Sequence, residues 1–213
     1  MNATSAYDTC GCCGTAEFRW PAAAPPIAGS RQVRFADATS EILDGDVLLW
    51  RPTSLLGRLI AWKTGSVYSH ASMAVWQRGS LMNVEMVQWA GGRQLRLQPQ
   101  VLRWPGSCDV YRPRGPYDKE AACAKMVELC GQEYGWRDFA AIVAHRYLRM
   151  PVVGLNNTLD ADEPRVCSAS DAWAIRAGGR KLVYPGRDVL DSEIVPGDLA
   201  DDGFSRYVLT LVA

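Results

Sequence analysis

Two residues of this sequence have the chemistry and the setting of a nucleophile and its base. Cys167 lies in Val166-Cys167-Ser168-Ala169-Ser170, after the polar run Asp160-Ala161-Asp162-Glu163-Pro164-Arg165. It heads a segment that reads as a helix to Arg176, with Gly178-Gly179 as terminator. In the first turn of a helix the backbone N–H groups lack carbonyl partners and the dipole favours negative charge, so a thiol there ionises more readily. His70, one of two histidines, starts an apolar stretch, Ser69-His70-Ala71-Ser72-Met73. An imidazole titrates near neutrality and can take a thiol proton and return it to a leaving group. The plainer readings are a buried structural cysteine and a half-buried strand histidine bonded to backbone. His145, within Ile142-Val143-Ala144-His145-Arg146, reads as a mid-helix packing or surface residue.

A third cluster is Cys10-Gly11-Cys12-Cys13-Gly14. Soft thiolates at this density could serve zinc or an iron–sulfur cluster, but no Cys-x-x-Cys follows at a suitable distance and both histidines are far away. Cys10, Cys12 and Cys13 are therefore weak metal candidates, and the expectation is no metal and no cofactor. The chain has seven cysteines, read mainly as reduced, buried thiols.

The elements that must position Cys167 and His70 follow from pattern. Residues 1–40 are rich in Ala, Pro, Gly and Ser and show no sustained period, so they read as an arm that cannot offset its own ordering entropy. Residues 41–213 read as the catalytic body. Asp44-Gly45-Asp46 is a turn signal, and Val47-Leu48-Leu49-Trp50 a short buried-type strand. The stretch from Ser54 to Lys63 places Leu55, Leu56, Leu59, Ile60 and Trp62 around one helical face, closed by Thr64-Gly65-Ser66. A strand from Tyr68 to Trp76, a turn at Gln77-Arg78-Gly79-Ser80 and a strand from Met82 to Trp89 form a hairpin. Gly91-Gly92 breaks it, Gln94 to Leu97 is extended again, and Cys108 to Arg112 is a further strand. Helices are predicted from Asp118 to Cys130, from about Trp136 to Arg149 and from Cys167 to Arg176, and Tyr207 to Val212 reads as a final strand. The fold class is α+β, a small antiparallel sheet packed on helices.

Composition narrows the function classes. The 213 residues are 48% hydrophobic and 22% charged, a globular profile. Lys plus Arg equals Asp plus Glu at 23 each, so no global field recruits nucleic acid. No run approaches the roughly 20 apolar residues of a membrane span, and no signal peptide is readable. The expectation is a chain that is cytoplasmic as synthesised.

Taken in order, Gly45-Asp46-Val47-Leu48-Leu49, Leu55-Leu56-Gly57-Arg58-Leu59-Ile60 and Thr64-Gly65-Ser66-Val67-Tyr68-Ser69-His70 resemble the opening of the YiiX-like, circularly permuted papain-like (NlpC-type) cysteine hydrolases. In that family the histidine strand comes first and the nucleophile follows late, at the start of a Cys-Ser-x-x helix, which Arg165 to Trp173 resembles. Gly131-Gln132-Glu133-Tyr134-Gly135-Trp136 is similar to the family's Gly-x-x-Tyr-x-Trp/Phe turn, and Pro196-Gly197-Asp198-Leu199 matches near the end. The likeness spans Gly45 to Val208; the chain before Arg34 has no counterpart. It departs at Cys167-Ser168-Ala169, where the family often has Cys-Ser-Glu, and the missing carboxylate bears on substrate contacts.

The resemblance implies a permuted papain-like fold and a third polar residue that orients the imidazole. Glu85, in Asn83-Val84-Glu85-Met86-Val87, lies at the family's spacing, with Gln88 as rival; along one strand the two cannot both face the site without a bulge. Ser168, Ser69 and Gln88 are the candidates for substrate contact, and the backbone N–H of Cys167 for the oxyanion. The implied activity is amide cleavage in peptidoglycan stem peptides, carried in a phage tail or similar assembly whose neighbouring subunits would hold the arm. Two other classes stand beside it: a non-catalytic structural plug or adaptor, and a cytoplasmic acyl-lipid or thioester hydrolase.

Overall fold

A computed structural model describes residues 29–136, 166–184, 187–188, 191 and 194–213. The Cys10-Cys12-Cys13 cluster, His145 and the helix expected from about Trp136 to Arg149 lie outside these residues, apart from Trp136 itself.

Seven strands form one sheet: β1 (Gln32–Arg34), β2 (Val47–Trp50), β3 (His70–Gln77), β4 (Ser80–Val87), β5 (Gly91–Arg96), β6 (Cys108–Pro113) and β9 (Ser205–Val212). Their order across the sheet is β1-β9-β6-β2-β3-β4-β5. All neighbours run antiparallel except β1 and β9, which are parallel. The sheet is thus larger than the small antiparallel one expected, and it mixes strand directions. It grows because it reaches back into the stretch read as the arm, where Gln32, Val33 and Arg34 pair with Thr210, Leu211 and Val212. A separate two-stranded ladder joins β7 (Val183–Tyr184) to β8 (Arg187–Asp188).

The helices are α1 (Phe35–Ala38), α2 (Leu55–Thr64), α3 (Leu97–Arg103), α4 (Lys119–Glu128) and α5 (Cys167–Ala177). Alternation along β2 sends Val47 and Leu49 into one core and Leu48 and Trp50 into another. On the first side β2, β3 and β4 pack against α4 and α5 through Met73, Met86, Cys123, Met126, Ala172 and Trp173. On the second, Ala74, Leu81 and Val110 meet Phe35, Leu97 and Val101. Both faces are buried, which is why β2 reads as a continuous apolar run rather than an alternating one. The architecture is mixed α+β.

Local signals account for the ends of the elements. Ser54 caps α2 by accepting from Gly57 N, and Asp118 caps α4 by accepting from Ala121 N. Gly65, at φ 65°, closes α2 in the left-handed region. Gly92 lies so close to the backbone around Leu129 that a Cβ would collide with its carbonyl oxygen, and its N–H donates to Gln132 O at 2.8 Å. This contact ties the β4–β5 hairpin to the end of α4. Two expectations fail for identifiable reasons. The extended stretch through Leu97 ends at Arg96, where Leu97 and Val101 turn into the second core as α3. The apolar face of α2 turns outward, because the small residues Gly57 and Ala61 are the ones that pack inward.

Candidate active site

His70 begins β3 and Cys167 begins α5, and the two meet because α5 packs along β3 and β4 with its N-terminus at the end where β3 starts. Val166 is the N-cap, extended at φ −125° and ψ 142°, and the first helical bond is Ser170 N to Val166 O at 2.9 Å. The Cys167 Sγ accepts from the backbone N–H groups of Ala71 and Ser168 and hydrogen-bonds the His70 ring. His70 Nε2 lies 2.8 Å from Glu85 Oε2, which leaves Nδ1 as the ring nitrogen for the thiol. Cys167, His70 and Glu85 are therefore one connected line.

Glu85 is itself held. Its Oε1 accepts from Arg93 Nε at 2.8 Å and from Gln100 Nε2 at 3.0 Å, and Gln100 accepts from Asn83 Nδ2 at 2.6 Å. Arg93 stands directly across the β4–β5 ladder from Glu85. The Glu85 side chain is 5% exposed and that of His70 15%.

Electrostatics follow from this packing. Burial alone would lower the His70 pKa, but the hydrogen bonds and charges of Cys167 and Glu85 outweigh it and raise it. Burial alone would raise Glu85; its hydrogen bond to His70 and the charges of His70 and Arg93 pull it down to about 2. Burial likewise opposes ionisation of Cys167, yet the bond and charge of His70, with the N–H groups of Ala71 and Ser168, lower it net. Both shifts run in the direction that favours a thiolate beside an imidazolium. The other described cysteines behave oppositely: burial pushes Cys108 and Cys130 up, and Cys123 up to about 12. The described cysteines are all free thiols, so the contrast is one of environment.

One neighbour was not anticipated. Asp171, a helical turn beyond Cys167, is fully buried and neither carboxyl oxygen has a hydrogen-bond partner. Burial first, and then the charge of Cys167, push its pKa well up, which favours the neutral acid. The i, i+4 spacing from Cys167 was the available signal. For Arg93 the signal was the hairpin register through Gly91-Gly92; for Gln100 nothing local existed, because α3 was not foreseen.

The remaining candidates fall as follows. Ser168 is buried, with its hydroxyl donating to Ile194 O at 2.6 Å, so it anchors the start of α5 to the chain before residues 196–200. Ser69 is also buried: its N–H donates to Trp50 O, and its hydroxyl faces Gly57. Gln88 lies in the turn after β4, half-buried, while Glu85 takes the imidazole. Tyr134 packs in the first core, and Pro196 to Ala200 form a short 3-10 turn whose Asp198 accepts from Val195 N at 2.9 Å. Among the described residues no group of three His, Cys, Asp or Glu side chains is arranged to hold a metal ion. No protein-family model matches the chain, and no curated protein is significantly similar to it.

Chemically, the arrangement presents a thiol at the helix start whose ionisation is favoured, an imidazole beside it whose protonation is favoured, and a carboxylate behind the imidazole. It can form a bond from sulfur to an electrophilic carbon and supply a proton to what leaves.

Proposed function

We propose that this protein is a cysteine-nucleophile hydrolase of the circularly permuted papain-like type, with Cys167 attacking, His70 as acid and base, and Glu85 orienting the ring. The observation that carries the reading is the hydrogen-bonded line from Cys167 through His70 to Glu85. The Cys167 thiolate attacks a carbonyl carbon, and the backbone N–H of Cys167, at the helix start, receives the developing oxyanion. His70 gives its proton to the leaving amine or alcohol as the tetrahedral intermediate collapses to a thioester. The neutral ring then takes a proton from water, hydroxide attacks the thioester, and Cys167 leaves as thiolate while the acid departs.

The substrate that the family likeness favours is an amide of a peptidoglycan stem peptide, with the protein borne in a phage tail or similar assembly. The exposed apolar side chains of α2, a helix whose Gly57 lies against Ser69, the chain neighbour of His70, favour a second reading, hydrolysis of an acyl-lipid or acyl thioester.

The test is the rate of Cys167 alkylation by iodoacetamide across pH, read by mass spectrometry beside the other cysteines, in wild type and His70→Ala. A fast Cys167 with an inflection well below the free-thiol value of roughly 8.5, lost in the variant, supports the reading. A Cys167 as slow as Cys108 and indifferent to His70 sinks it. Incubation with purified cell-wall sacculi and with acyl-ester vesicles, each against Cys167→Ala, then separates the two substrates.

A further inference from the structure

We propose that Arg93 is a positioning residue: it pins one oxygen of Glu85 so that the other holds the His70 ring in its working orientation. The chemical consequence rests on the hydrolase reading, although the orientation itself does not need the thiol.

Strand alternation sets the geometry. Val84 and Met86 belong to the core that β4 shares with α4 and α5, so Glu85 points to the opposite face, as Asn83 does. That face meets α3, whose Gln100 donates to Glu85. Arg93 is the cross-strand partner of Glu85 and therefore shares its face. Two glycines fix this register. A Cβ on Gly91 would collide with Gln132 O and one on Gly92 with Leu129 O, so the start of β5 fits there in one way. A slip by one residue would send Arg93 to the other face, away from Glu85.

The carboxylate is divided between two tasks. Its Oε1 receives Arg93 Nε at 2.8 Å, a terminal Arg93 nitrogen at 2.7 Å and Gln100 Nε2 at 3.0 Å. Its Oε2 meets His70 Nε2 at 2.8 Å. Gripped at one oxygen by a strand and a helix, the group cannot rotate without breaking charge-assisted bonds. The amides behind it run in one direction, because a carboxylate only accepts. Gln100 must turn its nitrogen to Glu85 and its oxygen to Asn83, which leaves Asn83 Oδ1 buried without a partner. An ion pair that only tied β4 to β5 would need neither Gln100 nor an oxygen kept aside for an imidazole.

Charge and orientation predict opposite signs. The Arg93 cation opposes protonation of His70, so its removal through charge alone would move the His70 pKa up. Loss of orientation lets Glu85 turn away from the ring and moves it down. Arg93 lies on the edge strand with its side chain 27% exposed, so it can be replaced without opening a core.

The test is an imidazole nitrogen NMR titration of the full chain, which has two histidines that His70→Ala tells apart. Wild type, Arg93→Met and Arg93→Lys are compared, each also with Cys167→Ala to uncouple the ring from the thiol, and thermal melting checks the fold. In Arg93→Met the His70 pKa should fall by about half a unit, and the neutral ring, protonated at Nε2 in wild type, should become a mixture of tautomers. Arg93→Lys, which keeps the charge and one donor, should fall by less. With the thiol intact, Cys167 alkylation at pH 6 should drop about threefold in Arg93→Met. A His70 pKa unchanged or raised in folded Arg93→Met overturns the proposal; if that variant does not fold, a value at or above wild type in Arg93→Lys overturns it. A Cys167 that is slow and indifferent to His70, beside a His70 pKa that still falls, leaves the positioning by Arg93 standing and sinks the hydrolase reading instead.

Discussion

Two buried charged networks flank the β2–β3 pair, and they are built to opposite standards. In one, Arg51 donates to Asp109 Oδ2 through its terminal nitrogen at 2.8 Å, and Tyr68 OH donates to the same oxygen at 2.7 Å. Thr210 Oγ1 donates to Asp109 Oδ1, and Tyr207 OH lies 2.8 Å from Thr210 Oγ1. Both Asp109 oxygens are occupied, and most of the members sit on neighbouring strands β6 and β9 or at the ends of β2 and β3. In the other network, Glu85 is equally well served, but the line then leaves the sheet and crosses to α5. There the Cys167 thiol rests against the His70 ring, and neither Asp171 carboxyl oxygen has a hydrogen-bond partner. Satisfied polar groups make a rigid joint; an unsatisfied or easily exchanged one is a place where chemistry can enter.

That difference can be broken from either side. The largest effect belongs to the structural network. Arg51→Ala leaves Asp109 buried and uncompensated and should cost about 3–5 kcal/mol in urea denaturation, while folded molecules alkylate at Cys167 as before. Equal loss of Cys167 reactivity would mean that the two networks are coupled. Next is His70→Ala, which removes the charge beside the thiol. Cys167 alkylation at pH 6 should fall roughly a hundredfold with little change in melting temperature.

Glu85→Gln sharpens the comparison, since it keeps an acceptor for His70 and removes the charge. The inflection of Cys167 alkylation should move up by about one pH unit, a tenfold loss of rate below it. The sign for stability follows from the same residue. Because Glu85 is held at about 2 in the folded chain, against 4.5 ordinarily, its contribution is full above 4.5 and is lost as pH falls through about 2. Acid unfolding of Glu85→Gln should therefore be shallower than that of wild type across this window.

Asp171 has the opposite slope, and its effect falls on stability rather than on Cys167 reactivity. Its folded pKa is raised, so the unfolded state ionises first, and stability declines as pH rises above the ordinary value of 3.8. Asp171→Asn should match wild type at pH 3 and exceed it at pH 8, by about 1.4 kcal/mol for each unit by which the folded pKa is raised, measured by denaturant midpoints. A variant less stable than wild type at pH 8 would mean that the carboxyl is a working member of the site.

Much of this was open to reading along the chain, for reasons that differ by residue. The helix start at Cys167 was legible because a polar loop gives way to a helical run closed by Gly178-Gly179, and the hairpin carrying His70 and Glu85 because of the Arg78-Gly79 turn. The choice of Glu85 over Gln88 rested on spacing, and the hydrogen bond to His70 is what sets the two apart. The strand at Gln32–Arg34 could not be seen, since three residues carry no period and are strands only because β9 lies alongside. Helix α3 was hidden for a related reason: Leu97-Gln98-Pro99-Gln100 resembles a loop until the second core draws Leu97 and Val101 inward.

What the sequence alone determined is local: caps at Ser54 and Asp118, the left-handed stop at Gly65, the alternation along β2 and the residue types that chemistry needs. These follow from backbone sterics and side-chain periodicity, which act over a few positions. Tertiary structure alone decided which groups meet, from the pairing of Cys167 with a histidine nearly a hundred positions earlier to the outward turn of α2. Such outcomes depend on which competing surface fits the space left, as Gly57 against Pro52 and Ser69 shows, and close packing has no counterpart along the chain.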